Sequence, residues 1–281
     1  MTGDPLMPHL MDIVARPELG DLILAGGFGV RVKQEHLVQT EARTLISPFP
    51  LARATNDLDL FVRMEIFSDS NRRDDTRRVI DDLGYEVTNR NWQFHKPLGE
   101  NLPGRKVKID LLSRSPNGGE SVKLRPPRVG DGSLHGRDTA EAFAIDLGPI
   151  PVPVRGRTTS GVEIQGRVLV PHPYAWLNMK VRAAYDWLRM DKGEPPRKPY
   201  SEKHAFDVYT ITAMLLEYEL EQCREFSLAF ANHELAISIR AEAQELFSSP
   251  ASPALRQVRN QTGGNLDFDA FNEGLRQALG Y

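Results

Sequence analysis

Two carboxylates one residue apart, Asp57 and Asp59, stand in the stretch Arg53-Ala54-Thr55-Asn56-Asp57-Leu58-Asp59-Leu60-Phe61-Val62. If Leu58 to Val62 is a strand, residues i and i+2 share a face. Two like charges on one face repel, and a divalent cation between them removes the repulsion. Mg²⁺ suits the position, because it takes hard oxygen ligands and commonly uses one or two carboxylates together with substrate phosphates. A third carboxylate, Asp110, lies in Lys106-Val107-Lys108-Ile109-Asp110-Leu111-Leu112. There Val107, Ile109 and Leu111 alternate with polar residues, the period of a half-buried strand. Set beside the first strand, Asp110 completes a metal site with Asp57 and Asp59. Upstream, Leu24-Ala25-Gly26-Gly27-Phe28-Gly29 carries an apolar strand into glycines and then into a helix expected from about Val30. Glycines in that place let backbone N–H groups approach a phosphate, and a helix N-terminus favours negative charge. No Gly-Lys-Ser/Thr follows, so this is not a Walker A loop, and the spacing is not that of a dinucleotide fingerprint. Taken singly, each feature also suits a tight turn or a solvated strand aspartate.

The elements that must position these residues fall into two textures. Up to about residue 170 the chain is rich in Gly and Pro, with short alternating apolar runs. Strands are expected at Leu22–Leu24, Leu58–Val62 and around Val107–Leu111. Val152–Arg155 and Val162–Val170 read as a hairpin closed around Thr158–Gly161, and Asn71–Leu83 reads as a helix stopped by Gly84. Between Val38 and Arg53 lies a long link, a flap in prospect. After Pro173, Tyr174, Leu177, Val181, Ala184 and Leu188 repeat at helical spacing. Further helices are expected over His204–Leu220, Phe226–Phe247 and Phe268–Leu279, and the Pro-rich Met190–Pro199 reads as a loop. The expectation is an α/β (α+β) core with a mixed sheet over residues 1–170, then a helical domain over 171–281.

Bulk composition narrows the classes. The chain has 281 residues, 40% of them hydrophobic and 26% charged, which is ordinary for a protein with a sizeable core. A formal net charge of −3 does not suit a broad, non-specific nucleic-acid binder. No apolar run approaches the ~18 residues of a membrane span. No basic stretch followed by an apolar one opens the chain, and the single Cys223 allows neither an intrachain disulfide nor a cysteine zinc site. The cytoplasm is the expected compartment, with no membrane partner.

Glycines opening a helix, Asp-x-Asp on a strand and a single Asp on a later strand together resemble the polymerase-beta-like nucleotidyltransferase superfamily. Two further segments refine the likeness: the helical Leu177-Asn178-Met179-Lys180-Val181-Arg182-Ala183-Ala184, and Lys203-His204-Ala205-Phe206-Asp207-Val208-Tyr209 at the start of the next helix. With them the chain, from about residue 20 to about 215, resembles the AbiEii-type nucleotidyltransferases. These are the toxins of AbiE-like (type IV) toxin–antitoxin systems, which include enzymes that modify tRNA. The resemblance implies transfer of NMP from an NTP to an acceptor hydroxyl, with release of pyrophosphate. It implies that Gly26 and Gly27 hold the triphosphate, and that Asp57 and Asp59 bind Mg²⁺ or Mn²⁺ with Asp110 as third ligand or base. One metal would activate the acceptor and the other would stabilise the leaving pyrophosphate. It further implies that Lys180 contacts phosphate, that Asp207 completes the catalytic set, and that tRNA and a cognate antitoxin protein are partners. Two positions depart from the family: Ala25 stands where a Lys is common, and Phe28 where a Ser or Thr is.

Two basic groups are candidates for an RNA acceptor: Arg72, Arg73, Arg77 and Arg78, and a second run of Arg105, Lys106, Lys108, Arg114, Lys123, Arg125 and Arg128. The seven histidines show no metal-binding spacing, and His204 reads as a capping or solvated residue. Two rival readings stay open on the sequence: a small-molecule, antibiotic-type nucleotidyltransferase, and a degenerate relative that acts as a binding partner.

Overall fold

The computed structural model describes residues 4–88, 90, 92–98, 104–118, 120, 122, 134–188 and 198–281. The chain divides into two compact units, one of residues 1–36 and 54–171 and one of residues 37–53 and 172–281.

The first unit holds helix α1 (Met7–Val14), strand β1 (Ile23–Leu24), helix α2 from Gly26 (Gly26–Gln39), β2 (Asp57–Phe61), α3 (Met64–Ser68) and α4 (Ser70–Asp82). It continues with β3 (Glu86–Val87), β4 (Gln93–Pro97), β5 (Lys106–Ser113), β6 (Arg137–Asp138), β7 (Ile150–Arg157) and β8 (Glu163–Val170). Among the described residues these make one mixed sheet of eight strands, in the order β3-β4-β5-β2-β1-β8-β7 with β6 beside β5. The central pair β2/β5 is parallel, as is β1/β8, whereas β1/β2 and β4/β5 are antiparallel. Alternation along β2 and β5 sends Leu58, Leu60, Val107, Ile109 and Leu111 into the core, each at most 1% exposed. α4 covers that apolar face, since its Arg77 guanidinium lies 4.9 Å from the ring centre of Phe94, the register partner of Ile109. α1 backs the hairpin β7/β8. Gly156 and Gly166 allow the approach: an added Cβ would meet Met11 Cγ at 3.0 Å and Val14 Cγ1 at 2.4 Å.

The second unit is helical: α5 (Pro173–Leu188), α6 (Lys198–Ala213), α7 (Glu217–Ala229), α8 (Glu234–Phe247), α9 (Pro253–Gln261) and α10 (Phe268–Leu279). Its core is aromatic, with edge-to-face pairs Tyr209–Phe271 at 5.2 Å and Phe247–Phe271 at 5.7 Å. Among the described residues no helix is long and apolar enough to cross a membrane.

Several elements differ from the sequence expectation. α2 begins at Gly26 rather than near Val30. The expected helix His204–Leu220 is two helices, interrupted at Met214–Leu216, where the Glu219 carboxylate accepts from the Leu216 N–H at 3.1 Å and starts α7 afresh. The expected helix Phe226–Phe247 also breaks: α7 ends at Ala229, and Phe230 stacks on Tyr174 with ring centres 6.1 Å apart. α6 begins at Lys198, before Pro199, because a first-turn proline lacks only an N–H that no helix bond needs. Residues 190–197 of the expected loop lie outside the described residues. The link after Val38 is not a flap throughout. Leu45 N–H donates to Leu215 O at 2.9 Å and Ile46 N–H to Ala213 O at 3.1 Å, which fastens it to the end of α6.

Candidate active site

The acidic pair and the glycine turn meet in the first unit. Ala25 N–H donates to the Asp59 carbonyl at 2.8 Å, so the chain leaves β1 level with Asp59. It then turns at Gly26, whose φ of +61° is a left-handed conformation open to glycine. A Cβ on Gly26 would lie 1.8 Å from Asp59 Oδ2. The residue is glycine because the Asp59 carboxylate occupies the space of its side chain. Gly27 follows as the second residue of α2, inside the first turn whose N–H groups have no partner within the helix. Ala25 and Phe28, the two departures from the family pattern, are buried apolar residues at 2% and 1% exposure. At Ala25 and Phe28 the turn therefore offers no polar side chain, only backbone N–H groups.

Asp57, Asp59 and Asp110 share one face of the sheet, opposite the core. In the parallel pair β2/β5, Asp59 is the register partner of Asp110 and Asp57 that of Lys108. Lys108 Nζ lies 3.9 Å from Asp57 Oδ1. Asp110 Oδ1 accepts from Gln93 Nε2 at 2.8 Å. Burial pushes the Asp110 carboxyl above the usual range and the charge of Asp57 adds to the rise, while Gln93, Lys108 and Arg137 oppose it. A cation on this face would relieve both the repulsion and the strained ionisation. The donor set is hard oxygen and fits Mg²⁺. Among the described residues no three Asp, Glu, His or Cys side chains converge into a closed metal site. Mg²⁺ does not require one, because substrate phosphates and waters fill its remaining positions.

The basic candidates are placed unequally. Arg72, Arg73, Arg77 and Arg78 lie on α4, over the apolar face, and each faces a carboxylate: Asp21, Asp74, Asp81 and Asp75 at 2.5, 3.6, 2.9 and 2.6 Å. Arg114 is 8% exposed and braced by Glu120 and Asp146, both at 2.6 Å. Arg105, Lys106 and Lys108 are exposed, and Lys106 and Lys108 alternate onto the face of Asp110. Lys123, Arg125 and Arg128 lie outside the described residues.

In the second unit, Lys180 of α5 and Asp207 of α6 do meet: Lys180 Nζ donates to Asp207 Oδ2 at 2.6 Å. The sequence reading gave no role to Arg53, which donates from Nε and Nη2 to the same carboxylate at 3.1 and 3.3 Å. Its only sequence signal is its basic character just ahead of the acidic strand. Burial by itself would raise the Asp207 carboxyl, but the charges and hydrogen bonds of Lys180 and Arg53 hold it below the ordinary range. His204, one turn earlier on α6, is a half-buried neutral imidazole rather than a solvated one. Burial and then the charge of Lys180 push it down to about 3, against Asp207, and its Nδ1 finds no partner among the described residues.

Neither the family models, nor the curated proteins, nor the solved structures yield a match to this chain.

Proposed function

We propose that the protein is a metal-dependent nucleotidyltransferase of the polymerase-beta-like kind. It moves a nucleoside monophosphate from an NTP to an acceptor hydroxyl on RNA, with tRNA as the acceptor. The observation that carries this reading is the contact between Gly26 and the Asp59 carboxylate. It brings a helix start and an acidic pair side by side, the first suited to phosphate and the second to a cation, which supports one triphosphate–cation complex engaging both. In the reaction the acceptor oxygen bonds to the α-phosphorus, the bond to the β-phosphate oxygen breaks, and pyrophosphate leaves. Bound Mg²⁺ supplies charge neutralisation on the triphosphate and a more acidic acceptor hydroxyl. Asp57 and Asp59 hold it, and the first turn of α2 at Gly26 and Gly27 orients the phosphates by backbone N–H groups. Asp110, the third carboxylate of that face, takes the hydroxyl proton. Lys180 enters as a phosphate contact on the strength of the resemblance, with Asp207 and Arg53 fixing its ammonium. The same resemblance supports a biological role as the toxin of a toxin–antitoxin pair, restrained by a cognate antitoxin.

Incubation with each α-³²P-labelled NTP, Mg²⁺ and total tRNA, beside an Asp59→Ala variant, tests the reading. Label on tRNA that disappears in the variant is the expected result and identifies the nucleotide. Absence of label with every NTP would remove tRNA as the acceptor.

A further inference from the structure

The acidic face of the first unit ends at an aromatic residue flanked by two arginines. β2 occupies one edge of β5, and the other edge is shared: β4 covers it from Lys106 to Asp110, and β6 takes over at Leu112. Trp92 immediately precedes β4, its carbonyl accepting from Leu111 N–H at 2.8 Å, and Arg137 opens β6. The side chains meet at this junction. The guanidinium carbon of Arg137 lies 5.6 Å from the Trp92 ring centre and that of Arg90 lies 5.7 Å from it. Arg137 is the register partner of Leu112, two residues on from Asp110, and its charge acts on Asp110. The cluster therefore borders the carboxylate face. Arg90 and Arg137 are exposed, and neither makes an ion pair among the described residues, unlike the arginines of α4.

We propose that Trp92, Arg90 and Arg137 form a platform for the single-stranded end of the RNA acceptor, with a base stacked on the cluster and its phosphates on the arginines. This deepens the proposed function and rests on it for the class of ligand. Single-stranded nucleic acid is held by aromatic rings that stack bases and by cations that follow the backbone, and this cluster offers both. Both guanidinium contacts lie near the ~6 Å outer limit of a cation–π pair, so an incoming base displaces little. Strand order argues for the acceptor rather than the NTP. Passing from β1 to β4 one meets the Gly26 turn, then Asp57 and Asp59, then Asp110, then Trp92. Three strand spacings of ~4.8 Å set Trp92 roughly 14 Å across the carboxylates from the phosphate turn.

The test is fluorescence anisotropy with a fluorescein-labelled RNA single strand of about twelve nucleotides, in EDTA and without NTP, at about 50 and 200 mM salt. Trp92→Ala is expected to weaken binding about tenfold or more, and Trp92→Phe, the folding control, to stay within about threefold of the parent protein. Arg137→Ala is expected to lower the salt slope by about one. A fluorescent ATP analogue with Mg²⁺ is expected to bind Trp92→Ala as it binds the parent. Equal RNA affinity of the parent and Trp92→Ala would overturn the platform, and so would a loss confined to the ATP analogue. Trp92-dependent RNA binding without any transfer to tRNA would leave the platform standing and sink the reaction. Transfer with Trp92-independent RNA binding would do the reverse.

Discussion

At the scale of single residues, Gly26 carries the most specific constraint. A methyl group there would need both a left-handed backbone and the space held by Asp59 Oδ2. Gly26→Ala is therefore expected to cost about 1–3 kcal/mol of stability, read from urea unfolding. Nucleotide transfer should be lost with it, because the carboxylate must move off the acidic pair. Unchanged transfer in a folded Gly26→Ala protein would show that the contact is dispensable. The shared face of Asp57, Asp59 and Asp110 was legible from a period of two, since alternation fixes faces once strands are assumed. Arg53 was not, because its carboxylate partner is 154 residues away and nothing local marks it. His204 was misread for a related reason: two of the charges that hold it neutral, Lys180 and Arg53, come from elsewhere in the chain.

At the scale of elements, long periodic segments were readable and short paired ones were not. β5 shows its alternation over eight residues, and α4 and α10 were found within about one residue of their ends. β3 and β6 are two residues each, and β4 carries Gln, His, Lys and Pro. β4 and β6 become strands through the edge of β5 that they pair with, and β3 through β4, a tertiary cause that overrides local preference. α9 did have a signal, Ser252 ahead of Pro253, and the Ser252 side chain caps the helix by accepting from Leu255 N–H at 3.2 Å. The break between α6 and α7 was invisible because Met214, Leu215 and Leu216 continue the apolar pattern. The same stretch anchors Leu45 and Ile46. Hydrogen–deuterium exchange is expected to show slow amides at Leu45 and Ile46 beside a fast one at the exposed Ser47. Uniformly fast exchange from 43 to 50 would mean that this attachment opens freely.

At the scale of the whole molecule, each unit has a histidine held neutral. Burial and then Lys96 push His9 down to about 4, against Asp12, while His204 is pushed to about 3. His9 is 3% exposed, and its Nδ1 lies 3.0 Å from Tyr85 Oη. An unfolded histidine with an ordinary pKa of 6.5 takes up its proton first as the pH falls. The stability from His9 is thus complete above about pH 6.5 and declines steadily towards pH 4, by about 2 kcal/mol between pH 7.5 and 5. Asp207, held below the ordinary carboxylate range, loses its contribution only at still lower pH. Urea midpoints at pH 7.5 and 5 are expected to differ accordingly, and the difference should shrink in His9→Gln. An equal difference in that variant would assign the acid sensitivity elsewhere. The route of the chain has a consequence in time. It leaves the first unit after residue 36, returns at 54 and leaves again after 171. On a ribosome, Leu45 and Ile46 emerge about 170 residues before the carbonyls that receive them, roughly 8–35 s earlier at 5–20 residues per second. Residues 37–53 wait through that interval without their partners, so a nascent chain stalled before residue 213 carries an unpaired segment of its second unit between two stretches of its first.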